Sequence, residues 1–478
     1  MDISAAAAGL KFLRPEIALL ATAALGMFAH LFLKRHGARI AGYITLLGLF
    51  VTADIVFLTP LSPGGFFSGS LTADRFAFYF KIIVLIAAAL AIGLAFKFFE
   101  VQKYEAGEFY YLMPLALIGM TAAVSATDLI TTYVAFELFA IPSYILTGIF
   151  KKEKRSSEAS IKYFFLGTLS SGIMLLGMAL VFGLTGETSY AEIARILPGA
   201  NAHIALIGMI LFFAGLAFKA ALAPFQMWAP DVYEGAPTPI VVFLSTASKA
   251  VVFAIIIRLM LTVFLPFKSS WIQIFQFLAL VSMFWGNLGA LVQTNVKRMM
   301  AYSSIAHAGY IAIGLAAWGE TASMAVLFYL VVYLFMNAAA FGMILLFRKG
   351  DGFGETIDDM RGLARRSPLA AGCILVVLLS LTGIPPTAGF MGKYLIFMAS
   401  VEKGMILLAA VGALNSVISL FYYFRIGRAM FMEDAPGDVT VEPSFPVMAV
   451  LVISAAVLLV LGLVPSFLMN FAAAAFLK

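Results

Sequence analysis

The sequence predicts an all-α, polytopic membrane protein of about 14 transmembrane helices, and three observations carry that expectation. Of the 478 residues, 63% are apolar or aromatic and only 12% are charged, with a mean hydropathy of +1.01. A soluble domain is roughly 45–50% apolar and about 25% charged, so a chain this apolar could not cover its own surface in water. The apolar residues also gather in fourteen runs of the length, about 20 residues, that crosses hydrocarbon as a helix. No run shows the short alternating segments of a membrane β-barrel.

In order, the runs lie near 15–33, 40–58, 76–96, 110–126, 129–149, 160–183, 204–223, 239–264, 271–292, 299–318, 322–347, 368–399, 404–424 and 444–470. The first fourteen residues lack a basic stretch followed by a short apolar core, so the first run is expected to serve as its own targeting signal. If the loops alternate sides, seven basic residues share the side of both termini: Lys11, Arg14, Arg75, Arg195, Lys268, Lys403 and Lys478. Nineteen fall opposite, among them Lys34, Arg35, Arg39 and the cluster Lys151-Lys152-Glu153-Lys154-Arg155. The positive-inside rule makes the nineteen-residue side cytoplasmic and puts both termini outside. The net charge of +6 is then a property of cytoplasmic loops and gives no reason to expect nucleic acid; lipid is the surrounding partner.

Two loops carry local signals. Ser189-Tyr190-Ala191-Glu192, in the outer segment 184–203, is a capping-box pattern that predicts a short surface helix. The cytoplasmic segment 348–367 holds Gly350, Gly352 and Gly354 among charges. With no strand predicted before it and no Gly-Lys-Ser/Thr after it, it reads as a flexible linker and not as a phosphate-binding loop. The single cysteine, Cys373, excludes an internal disulfide and any cysteine-built metal or iron–sulfur site, and His30, His36, His203 and His307 are scattered without ligand spacing.

Five basic residues remain inside the runs: Lys81, Lys219, Lys249, Arg258 and Lys393. Glu137 is the one carboxylate near the middle of a run. A charge at mid-helix costs about 2.5–3.5 kcal/mol on insertion scales, so such residues are functional candidates when they face the bundle. Lys81 and Arg258 lie toward run ends, where long side chains snorkel to water. Glu137, Lys219, Lys249 and Lys393 lie deeper. Glu137 precedes Pro142 by five residues, Lys219 precedes Pro224 by five, and Lys393 follows Pro385-Pro386. Each proline removes one helical hydrogen bond, which frees the carbonyls of Leu138, Ala220, Leu381 and Thr382. A freed carbonyl at membrane depth must find a side chain or water. A lysine in hydrocarbon is driven toward neutrality and a nearby carboxylate draws it back, so a Lys/Glu pair suits proton transfer better than covalent catalysis. The competing reading is a set of structural ion pairs between helices. His307 has two readings, a proton carrier or a satisfied core histidine.

The two broken runs, the seventh and twelfth, are five helices apart. Paired interruptions in corresponding positions mark inverted-repeat transporters, and an odd offset gives repeats of opposite orientation. The expected organisation is an N-terminal three-helix segment (1–109), a first repeat of helices 4–8 (110–264), a second of helices 9–13 (271–430) and a C-terminal helix (444–478). Pro142-Ser143-Tyr144-Ile145-Leu146-Thr147-Gly148 is faintly echoed by Ala308-Gly309-Tyr310-Ile311-Ala312-Ile313-Gly314.

The stretch Phe218-Lys219-Ala220-Ala221-Leu222-Ala223-Pro224-Phe225-Gln226-Met227-Trp228-Ala229-Pro230-Asp231-Val232-Tyr233-Glu234-Gly235-Ala236-Pro237-Thr238-Pro239, continuing into Phe243-Leu244-Ser245-Thr246-Ala247-Ser248-Lys249, resembles the antiporter-like membrane subunits of respiratory complex I. So do Phe136-Glu137-Leu138, Ala159-Ser160-Ile161-Lys162-Tyr163-Phe164, Ala301-Tyr302-Ser303-Ser304-Ile305-Ala306-His307 and Gly389-Phe390-Met391-Gly392-Lys393. The resemblance runs from about the fourth helix through the thirteenth. It implies fourteen helices, repeats 4–8 and 9–13, and breaks in helices 7 and 12. It also implies proton-path roles: Glu137 modulating Lys219, Lys249 joining the halves, and Lys393 as terminal exchange group. Gln226 departs from the family, which commonly has histidine there, so a non-titrating group occupies that position. One branch of the family carries lysine at the position of Lys393 and a sister branch carries glutamate; this chain sorts with the former. The chain ends eight residues after its last run, without the long additional helix of the largest members.

The function implied is proton translocation as a membrane-arm subunit of an NADH–quinone oxidoreductase. NADH, FMN, iron–sulfur clusters and quinone are expected in other subunits and no cofactor or metal in this one. The expected partners are other membrane-arm subunits, including sister antiporter-like ones. A free-standing or Mrp-type cation/proton antiporter subunit and a purely structural scaffold are the other classes considered.

Overall fold

The structure, a computed structural model, describes residues 9–33 and 36–476. Lys34, Arg35 and Lys478 of the loop-charge comparison lie outside those residues. The chain begins with α1 (Arg14–Phe32), α2 (Gly37–Leu58) and α3 (Arg75–Gln102), with a hairpin of β1 (Ser62–Phe66) and β2 (Leu71–Ala73) between the last two. There follow α4 (Gly107–Ser125), α5 (Leu129–Thr147), α6 (Lys154–Thr185), the short α7 (Tyr190–Ile196), α8 (Ala202–Ala220), α9 (Trp228–Gly235) and α10 (Thr238–Leu261). The second half holds α11 (Lys268–Leu291), α12 (Val296–Ala317), α13 (Glu320–Gly342), α14 (Pro368–Thr382), α15 (Ala388–Glu402) and α16 (Ile406–Met432), and α17 (Phe445–Leu463) and α18 (Ser466–Phe476) close it. Thirteen of the described helices are long and apolar enough to cross a membrane, and α14 with α15 makes one further crossing in two pieces. The protein is a multi-pass, all-α membrane protein.

The layers follow from which faces are apolar. In α10, α12 and α13 the hydrophobic windows are 100%, 94% and 89% buried, so protein surrounds them on every side; in α2, α16 and α17 the figure is 33–39%. Those outer helices expose Phe50, Leu58, Val417, Phe421 and Val460, the surface that lipid covers. The buried charges sit on the inner helices and their immediate neighbours.

The two broken crossings are where the sequence places them. In the first, α8 stops at Ala221, whose φ of 56° is left-handed. The amide of Leu222 returns to the Ala217 carbonyl at 2.9 Å, Trp228 Nε1 donates to the Phe218 carbonyl at 2.8 Å, and the Ala223 amide donates to Ser282 Oγ on α11 at 2.8 Å. In the second, α14 ends at Gly383, with φ +89°, and the Ile384 amide closes onto Leu379. That is the left-handed helix stop that glycine tolerates best. By contrast α5 runs through Pro142 without a break.

Four expectations need correction. The run 444–470, expected as one helix, divides into α17 and α18. The first broken crossing continues into α9, beyond the run 204–223, because Asp231 and Glu234 end the apolar signal there. The surface helix at 190–196 forms, but Ser189 makes no side-chain cap; its start is pinned by the Tyr190 amide on Thr127 and the Leu129 amide on Thr188. Segment 348–367 is built structure. Here β3 (Phe347–Lys349) pairs with β4 (Gly352–Phe353) and with β5 (Val439–Val441). Burial pushes the Asp359 carboxyl up, but Lys349 at 2.8 Å and the Thr356 hydroxyl and amide outweigh this and hold it below its ordinary range.

Lys81 and Arg258 do not snorkel. Lys81 forms a 2.8 Å ion pair with Glu16 of α1 in which both side chains are buried. Arg258 grips Asp74, the N-cap of α3, with two nitrogens at 2.8 and 3.0 Å and adds the Val124 carbonyl at 2.9 Å. For these two residues the geometry is that of inter-helix anchors. At Asp74, burial raises the carboxyl pKa, and Arg258 and the Ala77 amide more than offset it, leaving it below the usual value.

Candidate functional site

Lys219, Lys249 and Lys393 are 1–3% exposed, far below what a lysine tolerates without compensation. Each is met differently, and the differences define the site.

Lys219 occupies the last turn of α8, before the break. Its Nζ makes no hydrogen bond among the described residues. It sits instead among aromatic rings, 4.5 Å from the Tyr163 centroid, 4.7 Å from Tyr144, 5.5 Å from Phe139 and 5.8 Å from Phe136. Three of those rings stand on α5, the helix of Glu137. Cation–π attraction is worth about 2 kcal/mol or more per ring when desolvated, so the cage partly compensates the lost water. Glu137 is within electrostatic reach of Lys219, but no ion pair joins them within 4.0 Å, and Glu137 Oε1 is likewise buried without a hydrogen bond. The expected Glu137–Lys219 pair is therefore a coupling through space, with two unsatisfied ends.

Lys249 opens the α-helical part of α10 directly after a π-helical turn, Leu244–Ser248. A π turn inserts one residue and rotates everything beyond it. Hydroxyls of Ser245 and Thr246 bond back to the Val242 carbonyl at 3.1 and 2.6 Å. Lys249 Nζ then donates to the Ser304 carbonyl at 2.6 Å and contacts Ser304 Oγ at 2.5 Å, and Tyr333 donates to the same Oγ at 2.8 Å.

His307 lies one turn beyond Ser304 on α12. Its Nδ1 is 2.6 Å from the Tyr329 hydroxyl and its Nε2 is 3.2 Å from that of Tyr423, which in turn reaches Ser303 at 2.5 Å. The ring packs against Tyr333 and Tyr310. The spacing of Ser304, His307 and Tyr310 puts all three on one face of α12. Tyr329 and Tyr333 do the same on α13.

Lys393 stands on α15, just past the second break. Its Nζ donates to the carbonyls of Leu381 and Thr382, both at 2.9 Å, and to Ser416 Oγ at 2.8 Å, over the Tyr310 ring at 4.7 Å. Those are the carbonyls that Pro385 and Pro386 release from the helix. A cavity of about 420 Å³, with Thr382, Lys393, Tyr394 and Ser416 in its wall, opens beside the ammonium. Nearby, Asn287 bonds Asn415 at 3.0 Å and accepts from Tyr422 at 3.0 Å, while its amide nitrogen is 3.4 Å from the Tyr310 hydroxyl.

The structure thus brings Lys249, His307 and Lys393 together through Ser304, Tyr333 and Tyr310, all in hydrogen-bond or ring contact. Lys219 is set apart from that group by Tyr163, Trp228 and Tyr233, and Glu137 lies beyond it. Sequence reasoning missed the tyrosines and Ser304. Their signal was present: hydroxyl-bearing residues three or four apart inside apolar runs. Among the described residues no three His, Cys, Asp or Glu side chains converge as metal ligands.

The family described as "NADH:quinone oxidoreductase/Mrp antiporter, TM" matches residues 126–419, which include Glu137, Lys219, Lys249, His307 and Lys393. The chain is 40% identical to NADH-quinone oxidoreductase subunit N of Trichlorobacter lovleyi over 99% of both chains. It superposes on a chain of respiratory complex I from Thermus thermophilus with a TM-score of 0.79 and 32% identity, covering 95% of this chain and 99% of that one. It also superposes on a chain of the Mrp complex of Dietzia sp. with a TM-score of 0.80 at 21% identity, covering 99% and 97%, a likeness of fold alone.

Proposed function

The chain belongs to the subunit N family of NADH-quinone oxidoreductase, antiporter-like membrane-arm subunits of a proton-translocating complex, and from that premise we propose that its buried lysines are the path the proton takes. The observation that carries the proposal is the unbroken set of titratable and hydroxyl groups from Lys249 through Ser304, Tyr333, His307 and Tyr310 to Lys393. Proton transfer between side chains needs donors and acceptors at hydrogen-bond distance or one water apart; Lys249–Ser304–Tyr333 meets that directly, and the ring contacts Tyr333–His307, His307–Tyr310 and Tyr310–Lys393 need a water or a neighbouring hydroxyl to carry the proton between them.

Lys219 is the input group. Its ammonium has no fixed acceptor, so a proton arriving there is not trapped, and the field of Glu137 decides how readily it is held. Lys249 passes charge into the second half, and Lys393, beside the 420 Å³ cavity, releases it. Moving one charge against 100 mV costs about 2.3 kcal/mol. Two unit charges 4 Å apart at an effective dielectric of 20 interact by about 4 kcal/mol, so a modest change in the distance of Glu137 from Lys219 is on the scale of the work required. Redox events elsewhere in the complex would act by altering that geometry. The redox groups (NADH, FMN, iron–sulfur clusters and quinone) belong to other subunits, and this chain holds none.

Residues 110–264 and 271–430 are inverted repeats in this reading. It is supported by the matching neighbours: α4 packs on α5 as α11 packs on α12, and α6 packs on both pieces of the first broken crossing, α8 and α9, as α13 packs on both pieces of the second, α14 and α15. Both termini lie outside the cytoplasm of a bacterial inner membrane, and the exposed apolar faces meet lipid and sister membrane-arm subunits. The test is Lys249→Met in the intact complex reconstituted in vesicles: quinone reduction that continues with fewer protons moved per electron supports the proposal. An unchanged ratio refutes it. Purification as a stable lone transporter, without an assembly of other subunits, would favour a free-standing antiporter instead.

A further inference from the structure

One ionic cluster touches none of the groups in the relay. Asp231 on α9 accepts from Lys162 of α6 at 2.6 Å and from Arg298 of α12 at 2.7 Å; Arg298 also reaches Glu234 at 3.0 Å, and Lys162 pairs with Glu158 at 2.7 Å. One eight-residue helix is therefore held by cations from both halves of the protein. The cluster, with Arg155, walls a cavity of about 200 Å³ on the side of the Lys151–Arg155 loop.

Further into the bundle, α9 presents Trp228, three residues from Asp231, and Trp228 stacks on Tyr163 with ring centroids 4.6 Å apart and planes at 14°. Tyr163 adjoins Lys162 in sequence and is the ring nearest Lys219 Nζ. The stack thus stands between the charged cavity and Lys219. Beside it the Tyr163 hydroxyl and the Lys219 ammonium are buried and make no hydrogen bond among the described residues. Buried polar groups without a protein partner are ordinarily met by water, and the charged cavity is where water stands closest. Non-helical residues 221–227 separate α9 from α8, and the hydrogen bond from Trp228 Nε1 to the Phe218 carbonyl at 2.8 Å ties the two, so a displacement of α9 must give up that bond as well as the ionic cluster. At its other end Gly235 lies so close to α6 that a Cβ would come within 2.6 Å of the Arg155 carbonyl.

We propose that the Lys162–Asp231–Arg298 cluster is a latch on proton uptake. Closed, it holds α9 where Trp228 covers Tyr163 and keeps Lys219 from the charged cavity; released, it lets water from that cavity reach Lys219. Asp231 is a positioning residue, acting through α9. The inference rests on the reading of Lys219 as the input group and of the Lys151–Arg155 side as cytoplasmic.

The experiment uses the intact complex in sealed vesicles, with Asp231→Asn, which removes the charge at nearly constant volume, and Asp231→Glu, which keeps it. The readouts are passive proton conductance without NADH and deuterium uptake over residues 216–235. With the latch lost, both should rise by about fivefold or more, since two pairs of partly exposed charges go and each is worth up to about fivefold, and Asp231→Glu should stay near wild type. Wild-type conductance and uptake in an assembled Asp231→Asn complex would overturn the latch, as would equal rises in both variants. If Asp231→Asn does not assemble, Lys162→Met loosens only the α6 side; a smaller rise in both readouts supports the proposal and no rise overturns it. Failure here is separable from failure of the relay, because the relay is judged by protons moved per electron in Lys219 variants at work and the latch by conductance at rest.

Discussion

Lys393 gives the sharpest separation of a structural from a proton-carrying role, because its hydrogen bonds can be counted one at a time. Its Nζ holds the Leu381 and Thr382 carbonyls, and Ser416 Oγ also donates to Thr382 at 2.8 Å. When the lysine is cut back to alanine, Thr382 keeps a donor and only the Leu381 carbonyl is stranded. One unsatisfied buried carbonyl costs about 1–3 kcal/mol. If that cost comes out of the free energy that keeps the break closed, amide exchange around residues 379–393 should quicken by about 5- to 150-fold in Lys393→Ala. Lys393→Gln retains an N–H donor for the carbonyl but has no exchangeable charge. It should exchange close to wild type and yet move fewer protons per electron. The assay is deuterium uptake on the assembled complex, paired with proton-to-electron ratios in vesicles. A glutamine variant that pumps at the wild-type ratio would refute the proton role. An alanine variant with unchanged exchange would refute the account of the freed carbonyl.

Three further outcomes follow from the anchors and the packing. Asp74→Asn should keep the cap on Ala77 and lose the Arg258 charge pair, while Asp74→Ala loses both and should be less stable by a further ~1 kcal/mol in thermal inactivation. Because the Asp74 carboxyl is held below its ordinary value, its contribution is complete above about pH 4 and is lost as the face that carries Asp74 is acidified through the lowered pKa. Lys81→Met alone strands Glu16 and should cost about 3–5 kcal/mol, whereas Lys81→Met with Glu16→Leu should recover most of that without changing the pumping ratio; a double variant as unstable as the single would contradict the pairing. Gly462→Ala should impair assembly, because a Cβ there would collide with the Pro386 carbonyl in the second break, and overpacking typically costs about 1–3 kcal/mol. Normal assembly would mean that α17 does not buttress the break.

Much of the fold was legible because hydrocarbon is a demanding solvent. Run length alone placed the crossings, and proline chemistry alone named Leu381 and Thr382 as carbonyls in need of a donor, which Lys393 supplies. Rotation about a helix axis is not written in run length. That is why the aromatic cage of Lys219 and the gap between Lys219 and Glu137 were invisible, although Phe136, Phe139 and Tyr144 stand on the same helix as Glu137. The π turn before Lys249 had only a faint trace in Ser245-Thr246-Ala247-Ser248, small hydroxyl residues able to take up a displaced carbonyl. Segment 348–367 read as a linker since its order comes from β5, about 90 residues away, and from Lys349 meeting Asp359 and Asp438. Partners that distant leave no local pattern. Lys297 misled for the same reason: it counted as a loop charge but is buried on the Ala236 carbonyl and Glu355.

The central claim is that protons cross through Lys219 and the groups beyond it. The most direct measurement is the proton-to-electron ratio of the assembled complex carrying Lys219→Met, in sealed vesicles with NADH-driven quinone reduction. The account predicts a ratio below wild type in complexes that assemble normally and still turn over. A wild-type ratio in those complexes would contradict it.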